Sequence, residues 1–365
     1  MKIGILTFHC AVNYGAVLQT YCLQEVLKSM GHEVYVIDYR PMYLIKPYKT
    51  FSYNPNNFGS YLYKCQGLLR ACLVAPIRWK RNRAFSQFIH HRLNLYQLDL
   101  NNESNNFDAF VFGSDQIWNS DITCGTDKVF IGDFPAAKDK LLISYAASMG
   151  GRVFNLSNND IKSLEYIVKH FSSISVREQS LHDLFKVYFK KEVPTVLDPV
   201  LLVQNKDLEH IVNDGNKFDK KYLLLFQPEG DKALSLYARK IADKMGIELI
   251  EIVSGIESII NIKWKQALFP EGFLCYISNA SYIITSSFHG TALSILFRKN
   301  FLTVSRCLET DCRMLSMLKL LGLEDRMCTI NSEFVFPEID YLLVDKKLNH
   351  LRMNSITYLQ NALNK

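Results

Sequence analysis

Within its first forty residues the chain alternates element types in an order that fixes how its strands must run. Ile3 to Phe8 (IGILTF) is a short apolar run, His9 to Gly15 is a polar loop, and Ala16 to Met30 has apolar residues at 17, 18, 22, 23, 26, 27 and 30. That spacing lines one face of a helix, which stops at Gly31. Glu33 to Asp38 (EVYVID) is the next strand. Strand, loop, helix and strand in so short a span form a βαβ unit, whose right-handed crossover makes a parallel sheet.

Further strands are read at Ala109 to Phe112, Leu141 to Ala146, Ser173 to Val176 and Thr195 to Leu197. After Asp198-Pro199 and the polar stretch Asn213 to Lys221 the pattern restarts: strand Tyr222 to Phe226, helix Lys232 to Met245, and strands at Ile247 to Val253, Tyr282 to Thr285 and Phe301 to Val304. At roughly 150 residues per domain, 365 residues suit two domains. The expectation is an α/β protein of two Rossmann-like, doubly wound domains, 1–204 and 205–341, facing a central cleft. Residues 342–365 read as a C-terminal helix folding back on the first domain. Ligands of such sheets sit at the carboxyl ends of the strands, so the loops after strands carry the chemistry.

A content of 48% hydrophobic and 21% charged residues is that of a core-forming chain and excludes disordered or collagen-like classes. No apolar run nears 18 residues, the best being Ala71 to Ile77 and Tyr222 to Phe226, so a membrane-spanning helix is not expected. Met1-Lys2 leads straight into a core strand without an apolar signal segment, which points to a cytoplasmic protein. The nine cysteines are odd in number and scattered, with no C-x-x-C pair, which disfavours a disulfide framework and a Cys-based zinc site. No His and carboxylate cluster has ligand spacing, so no metal is demanded. The net charge of +6 is uneven: Tyr39 to Leu98 holds ten Lys or Arg and no acid, and the rest of the chain nets −4. Within it, residues 64–92 alternate basic with apolar and aromatic residues, a candidate for peripheral contact with an anionic inner membrane face. A solvated basic helix is the plainer alternative. No recognition motif supports nucleic-acid binding.

The strongest local signal is Ile283-Ile284-Thr285-Ser286-Ser287-Phe288-His289-Gly290-Thr291 ahead of the apolar helix Ala292 to Phe297. A strand ends in small hydroxyl residues, His289 sits on the turn, and Gly290-Thr291 opens a helix whose unpaired amides and dipole attract an anion. An imidazole there can move a proton near neutral pH. Ser175-Val176-Arg177-Glu178 is a second site, where the Arg177 guanidinium can hold a carboxylate or phosphate by two parallel hydrogen bonds, or pair with Glu178 or another acid. Arg306 and Arg313 are weaker candidates for the same work. Ser114, Asp115, Gln116 and Trp118 follow another strand and suit a sugar's hydroxyls and faces, although an Asp-capped turn with Trp118 in the core fits as well. Asn13, Tyr14 and Gly15 form the analogous loop after the first strand.

Together these loops resemble the polysaccharide pyruvyl transferase family. The matching stretches are GILTFHCAVNYGAVLQTYCLQ (4–24), FDAFVFGSDQIWN (107–119), YAASMG (145–150), SISVREQSL (173–181), VLDPVLL (196–202) and ITSSFHGTALSILF (284–297), in order over most of the chain. The resemblance implies a fold like the B type of glycosyltransferases. It also implies transfer of pyruvate from phosphoenolpyruvate, as co-substrate and without a further cofactor, onto two hydroxyls of a sugar in cell-surface polysaccharide biosynthesis, the acceptor being a saccharide that is a candidate for lipid linkage. His289 then falls on the family's cleft histidine and Arg177 on its strand-end arginine. The donor side comprises Arg177, Ser286, Ser287, Gly290, Thr291, Arg306 and Arg313, and the acceptor side comprises Asn13, Tyr14, Gly15, Ser114, Asp115, Gln116 and Trp118. One position departs: many members carry Arg two residues before this histidine, where this chain has Ser287, so Arg306 or Arg313 must substitute or the donor differs. A nucleotide-sugar glycosyltransferase and a non-enzymatic saccharide-binding protein stay open on the residues alone.

Overall fold

The computed structural model describes residues 1–51, 61–212, 218, 220–253, 264–265, 267–306, 311–330, 332 and 336–365, the side chains of 61–63 and 264 excepted. In chain order, β1 (Lys2–Leu6), α1 (Tyr14–Ser29) and β2 (Glu33–Ile37) form the opening unit. They are followed by α2 (Met42–Ile45), α3 (Tyr61–Arg92), β3 (Leu95–Tyr96), β4 (Ala109–Phe112) and β5 (Leu141–Ser144). Four helices, α4 (Asn158–His170), α5 (Gln179–Phe189), α6 (Pro199–Leu202) and α7 (Asn205–Val212), lead to the second half. There β6 (Tyr222–Gln227), α8 (Lys232–Met245), β7 (Glu248–Val253), β8 (Trp264–Lys265), α9 (Pro270–Asn279), β9 (Tyr282–Thr285), α10 (Phe288–Leu296) and β10 (Asn300–Val304) succeed one another. The chain closes with α11 (Cys312–Leu321), β11 (Met327–Cys328) and α12 (Tyr341–Leu363).

Among the described residues the strands form two sheets, ordered β3-β2-β1-β4-β5 and β11-β10-β9-β6-β7-β8, and every pairing is parallel. Each order reverses once, between β1 and β4 in the first sheet and between β6 and β9 in the second, and the register there pairs Ile3 with Ala109 and Leu224 with Ile283. This is the doubly wound arrangement expected from the sequence, and its reversal points are where crevices open at the strand ends.

Alternation along the strands explains the layering. Ile3 and Ile5 of β1 and Leu224 and Phe226 of β6 point into one shared apolar layer, whereas Phe110 and Phe112 of β4 face a layer outside the first sheet. Leu223 and Leu225 face a third, outside the second sheet. Both faces of each sheet are thus buried, as parallel sheets require.

Two elements differ from expectation. Residues 173–176 and 195–197 are not regular strands: single bridges hold them, Ile143 of β5 with Ser173, Ala147 beyond β5 with Val176, and Val176 in turn with Thr195. Their serines divert hydrogen bonds to side chains, as when Ser175 Oγ donates to the Ser144 carbonyl at 2.9 Å. The second is α10, which begins at Phe288 rather than at Ala292, because the Ser287 side chain accepts from the Gly290 amide and caps the helix earlier. The division near residue 204 falls beside 213–217 and 219, which lie outside the described residues. α12 rests on both halves: Tyr341 donates to the Lys299 carbonyl (2.6 Å), while Tyr358 donates to that of Ser144 (2.8 Å) and Ser355 Oγ accepts from the Leu197 amide (3.0 Å). Among the described residues no helix is long and apolar enough to cross a membrane.

Candidate active site

The loops that follow β1, β4 and β5, the turns at 177 and 198, and the start of α10 after β9 converge at the reversal points of the two sheets. His289 enters from the second half, in the first turn of α10, with its side chain 12% exposed. Its Nε2 lies 3.6 Å from Oδ2 of Asp198, an ion-pair distance too long for a hydrogen bond. On its other side the ring abuts Gly15, where an added Cβ would stand 2.1 Å from Nδ1. Gly15 is therefore the space that the imidazole occupies.

Asp198 is fully buried and serves several groups. Oδ1 accepts the Val200 amide at 3.0 Å and caps α6, while Oδ2 accepts Nη1 of Arg177 at 2.9 Å and has Oγ of Ser114 at 3.2 Å. Burial pushes this carboxyl up, but His289 and Arg177 outweigh it and hold it well below the usual carboxylate range. It is an anion at neutral pH.

Arg177 has its guanidinium 2% exposed, beneath the Phe288 ring at 4.7 Å. Burial opposes its charge, while Asp198, Asp115 and Glu178 favour it and win, so it stays protonated. Asp115 and Glu178 stand at 3.8 and 3.9 Å. Glu178 also holds backbone: its Oε1 accepts from Ser148 Oγ (2.8 Å) and the Met149 amide (3.0 Å), clamping the loop after β5. Of the Arg177 nitrogens only Nη1 is hydrogen-bonded in this cluster, to Asp198, whereas Nε and Nη2 have no hydrogen-bond partner among the described residues. The guanidinium neutralises buried carboxylates and fixes Asp198 beneath His289. Asp115 is a non-glycine residue at φ 79°, a backbone strain of the kind found in functional loops.

The other expected donor residues divide. Ser286 is half-buried at the end of β9, and Ser287 is the cap of α10. The Gly290 amide donates to Ser287 Oγ and that of Thr291 to the Ser287 carbonyl, and the Thr291 hydroxyl is buried against Thr303 (2.8 Å). Those two amides are consumed inside the helix, which leaves the amides of Phe288 and His289 without an acceptor among the described residues. Arg313, half-buried, lies beside the Phe288 ring at 5.9 Å, in the field of Arg177, Glu178 and Asp115. Arg306 instead pairs with Glu229 at 3.1 Å, away from this cluster.

On the acceptor side, three residues are structural. Tyr14 is fully buried with its hydroxyl on the Leu268 carbonyl (3.1 Å). Trp118 is in the core with Nε1 donating to the Phe130 carbonyl (3.1 Å), the plainer of the two readings. Asn13 caps α1, accepting from the Gly15 and Ala16 amides. Ser114 is buried beneath Asp198, and Gln116 is half-buried with Oε1 accepting from Asn119 (3.0 Å). Asp198 itself was missed. Its signal was an Asp at a strand end followed by Pro, the pattern of a helix cap with Pro at the first position. Among the described residues no group of three or more His, Cys, Asp or Glu is arranged to hold a metal ion.

A family model described as polysaccharide pyruvyl transferase matches residues 13–307. Comparison with curated proteins gives no match. Among solved structures, the chain is similar to UDP-GlcNAc 2-epimerase from Neisseria meningitidis bound to UDP-GlcNAc, at 10% identity and a TM-score of 0.48 over 99% of this chain and 94% of that one. The UDP-GlcNAc 2-epimerase from Methanocaldococcus jannaschii gives 12% and 0.46 over 96% and 92%. The glycosyltransferase SnogD from Streptomyces nogalater gives 10% and 0.43 over 100% and 98%.

Proposed function

The chain belongs to the polysaccharide pyruvyl transferase family, and from that premise we propose that it moves the pyruvyl group of phosphoenolpyruvate onto two hydroxyls of a saccharide, closing a cyclic ketal and releasing phosphate. The observation that carries this reading is the placement of His289 against an ionised, immobilised Asp198 where the two halves meet.

The reaction adds a proton to the methylene carbon, forms two bonds from sugar oxygens to the central carbon, and breaks that carbon's bond to the phosphate oxygen. Of the two hydroxyl protons, one ends on the new methyl group and the other on the phosphate. A group that takes a proton from a hydroxyl and returns it elsewhere suffices, and imidazole does this near neutral pH. Asp198, itself held by Arg177, faces the ring and balances the charge that the ring gains on protonation. With Nη1 of Arg177 engaged by Asp198, the donor's anionic groups fall to the remaining N–H groups of Arg177, to Arg313 and to the first-turn amides of α10. The hydroxyl-binding side falls to Asp115, Gln116 and Ser286, the half-buried polar groups of these loops.

The test is release of phosphate from phosphoenolpyruvate that depends on an added saccharide, scored over an acceptor panel. His289→Ala should lower turnover by about 100-fold or more. Unchanged turnover removes His289 from the mechanism, and thermal stabilisation by a nucleotide sugar in place of phosphoenolpyruvate overturns the donor assignment.

A further inference from the structure

We infer that α3 is a docking element for an anionic lipid bilayer and that it sets the active-site cleft next to the membrane surface. Of its described side chains, Ala71, Val74, Ala84, Phe85, Phe88 and Ile89 are buried. The opposite side is unlike a solvated helix face. Leu68, Leu69, Leu73 and Trp79 stand 43, 61, 54 and 55% exposed there, beside exposed Lys80 and Arg83, with Arg70 at the edge. At 100° per residue, positions 68, 69, 73, 79, 80 and 83 fall within an arc of about 140°. Arg83 lies over the Trp79 ring at 5.4 Å, so cation and aromatic body occupy one patch. Pro76 is exposed on the same side, where water can meet the carbonyl that its missing N–H leaves unbonded.

Charge selects the occupant. Between residues 39 and 98 there is no Asp or Glu, so nothing on this segment repels an anionic surface. Apolar groups that dip to the acyl boundary, with Lys and Arg among headgroups, are the chemistry of an interfacial helix. A second copy of the chain fits poorly, since a symmetric contact would press this basic, acid-free patch against another copy of itself. Arg81, expected to share the basic face, is instead buried, and its Nη2 donates to the Val12 carbonyl at 2.7 Å. That contact ties the inner side of α3 to the loop that ends at Asn13, the cap of α1, whose Gly15 the His289 ring abuts. A bilayer on the outer side therefore lies one helix away from the cleft. On the reading of function above, a saccharide carried on a lipid would reach His289 from there, but the docking itself does not depend on that reading.

The test is co-sedimentation of the full chain with vesicles of phosphatidylcholine alone or with phosphatidylglycerol, which reads partition and not turnover. Binding should need the anionic lipid and should shift Trp79 emission to the blue. The triple variant R70Q/K80Q/R83Q should weaken partition by about 100-fold, at about fivefold per charge. L69S/L73S/W79S should also weaken it, with melting unchanged because these side chains are exposed. The control K138Q/K186Q, exposed elsewhere on the first half, should bind normally. Equal binding to both vesicle types overturns the proposal, as does full binding by both triple variants. A concentration-dependent dimer abolished by L69S/L73S/W79S would assign the face to a second copy and overturn it too.

Discussion

Gly15 is where one atom separates a folded chain from a working one. It is the second residue of α1, its backbone is helical and not left-handed, and the helix would gain roughly 1 kcal/mol from alanine. Yet a Cβ there would stand 2.1 Å from Nδ1 of His289, so the imidazole must leave its place over Asp198. Gly15→Ala should therefore fold with an undiminished melting temperature while losing about 100-fold in turnover, the usual cost of misplacing a catalytic group by an ångström. Intact turnover in this variant would mean that the observed position of His289 is not the working one. The same atom clash explains why Gly15, read in the sequence as part of the acceptor-side loop beside Asn13, matters for another reason: its partner is about 270 residues away in the chain, and no local pattern records that.

Among the elements, those legible in advance were the ones whose own residues determine them. β6 is a continuous apolar run buried along its length, and α8 opens on an Asp231 cap and stops at Gly246 in the left-handed conformation. What escaped was set by tertiary contact. The stretch 173–176 was diverted into bridges by serine hydroxyls, α10 began early at its Ser287 cap, and the four residues of α6 are too few for any periodicity. α6 nevertheless carries the site, because its cap is Asp198. Replacing Asp198 by Asn keeps the size and removes the charge, which takes from Arg177 its hydrogen-bonded carboxylate and leaves it only the more distant Asp115 and Glu178. Breaking a buried pair in this way costs on the order of 3–5 kcal/mol, read as a fall in melting temperature at neutral pH. The sign of its pH dependence follows from the depressed carboxyl. Its contribution is complete above the ordinary value of 3.8 and fades as pH falls through the lower folded value. Acidification should thus narrow the gap between wild type and Asp198→Asn, and a gap that widens would remove the ionised carboxylate from the account.

For the whole molecule, the two sheets suggest two independent domains, but the apolar layers argue for one cooperative unit. The layer between the sheets joins Ile3, Val17 and Leu23 of the first half to Leu224, Ile283, Leu293 and Phe301 of the second, and to Leu348, Leu359 and Leu363 of α12. Across it the Tyr14 ring stacks on that of Phe273 at 4.3 Å and 17°, and its hydroxyl reaches the Leu268 carbonyl. Domains whose mutual contact is small and polar open separately on heating, whereas a large apolar contact couples them. Here neither half keeps its middle layer once the other has opened, so intermediate states lose burial without gaining full chain entropy. Calorimetry should accordingly show a single transition, with van't Hoff and calorimetric enthalpies in agreement. At about 0.7 kcal/mol per residue the total near 60 °C should be roughly 250 kcal/mol. Two resolved transitions, each with about half of that heat, would mean that the shared layer does not couple the halves. His289 and Asp198, supplied by different halves, would then owe their approach to weak docking rather than to a common core.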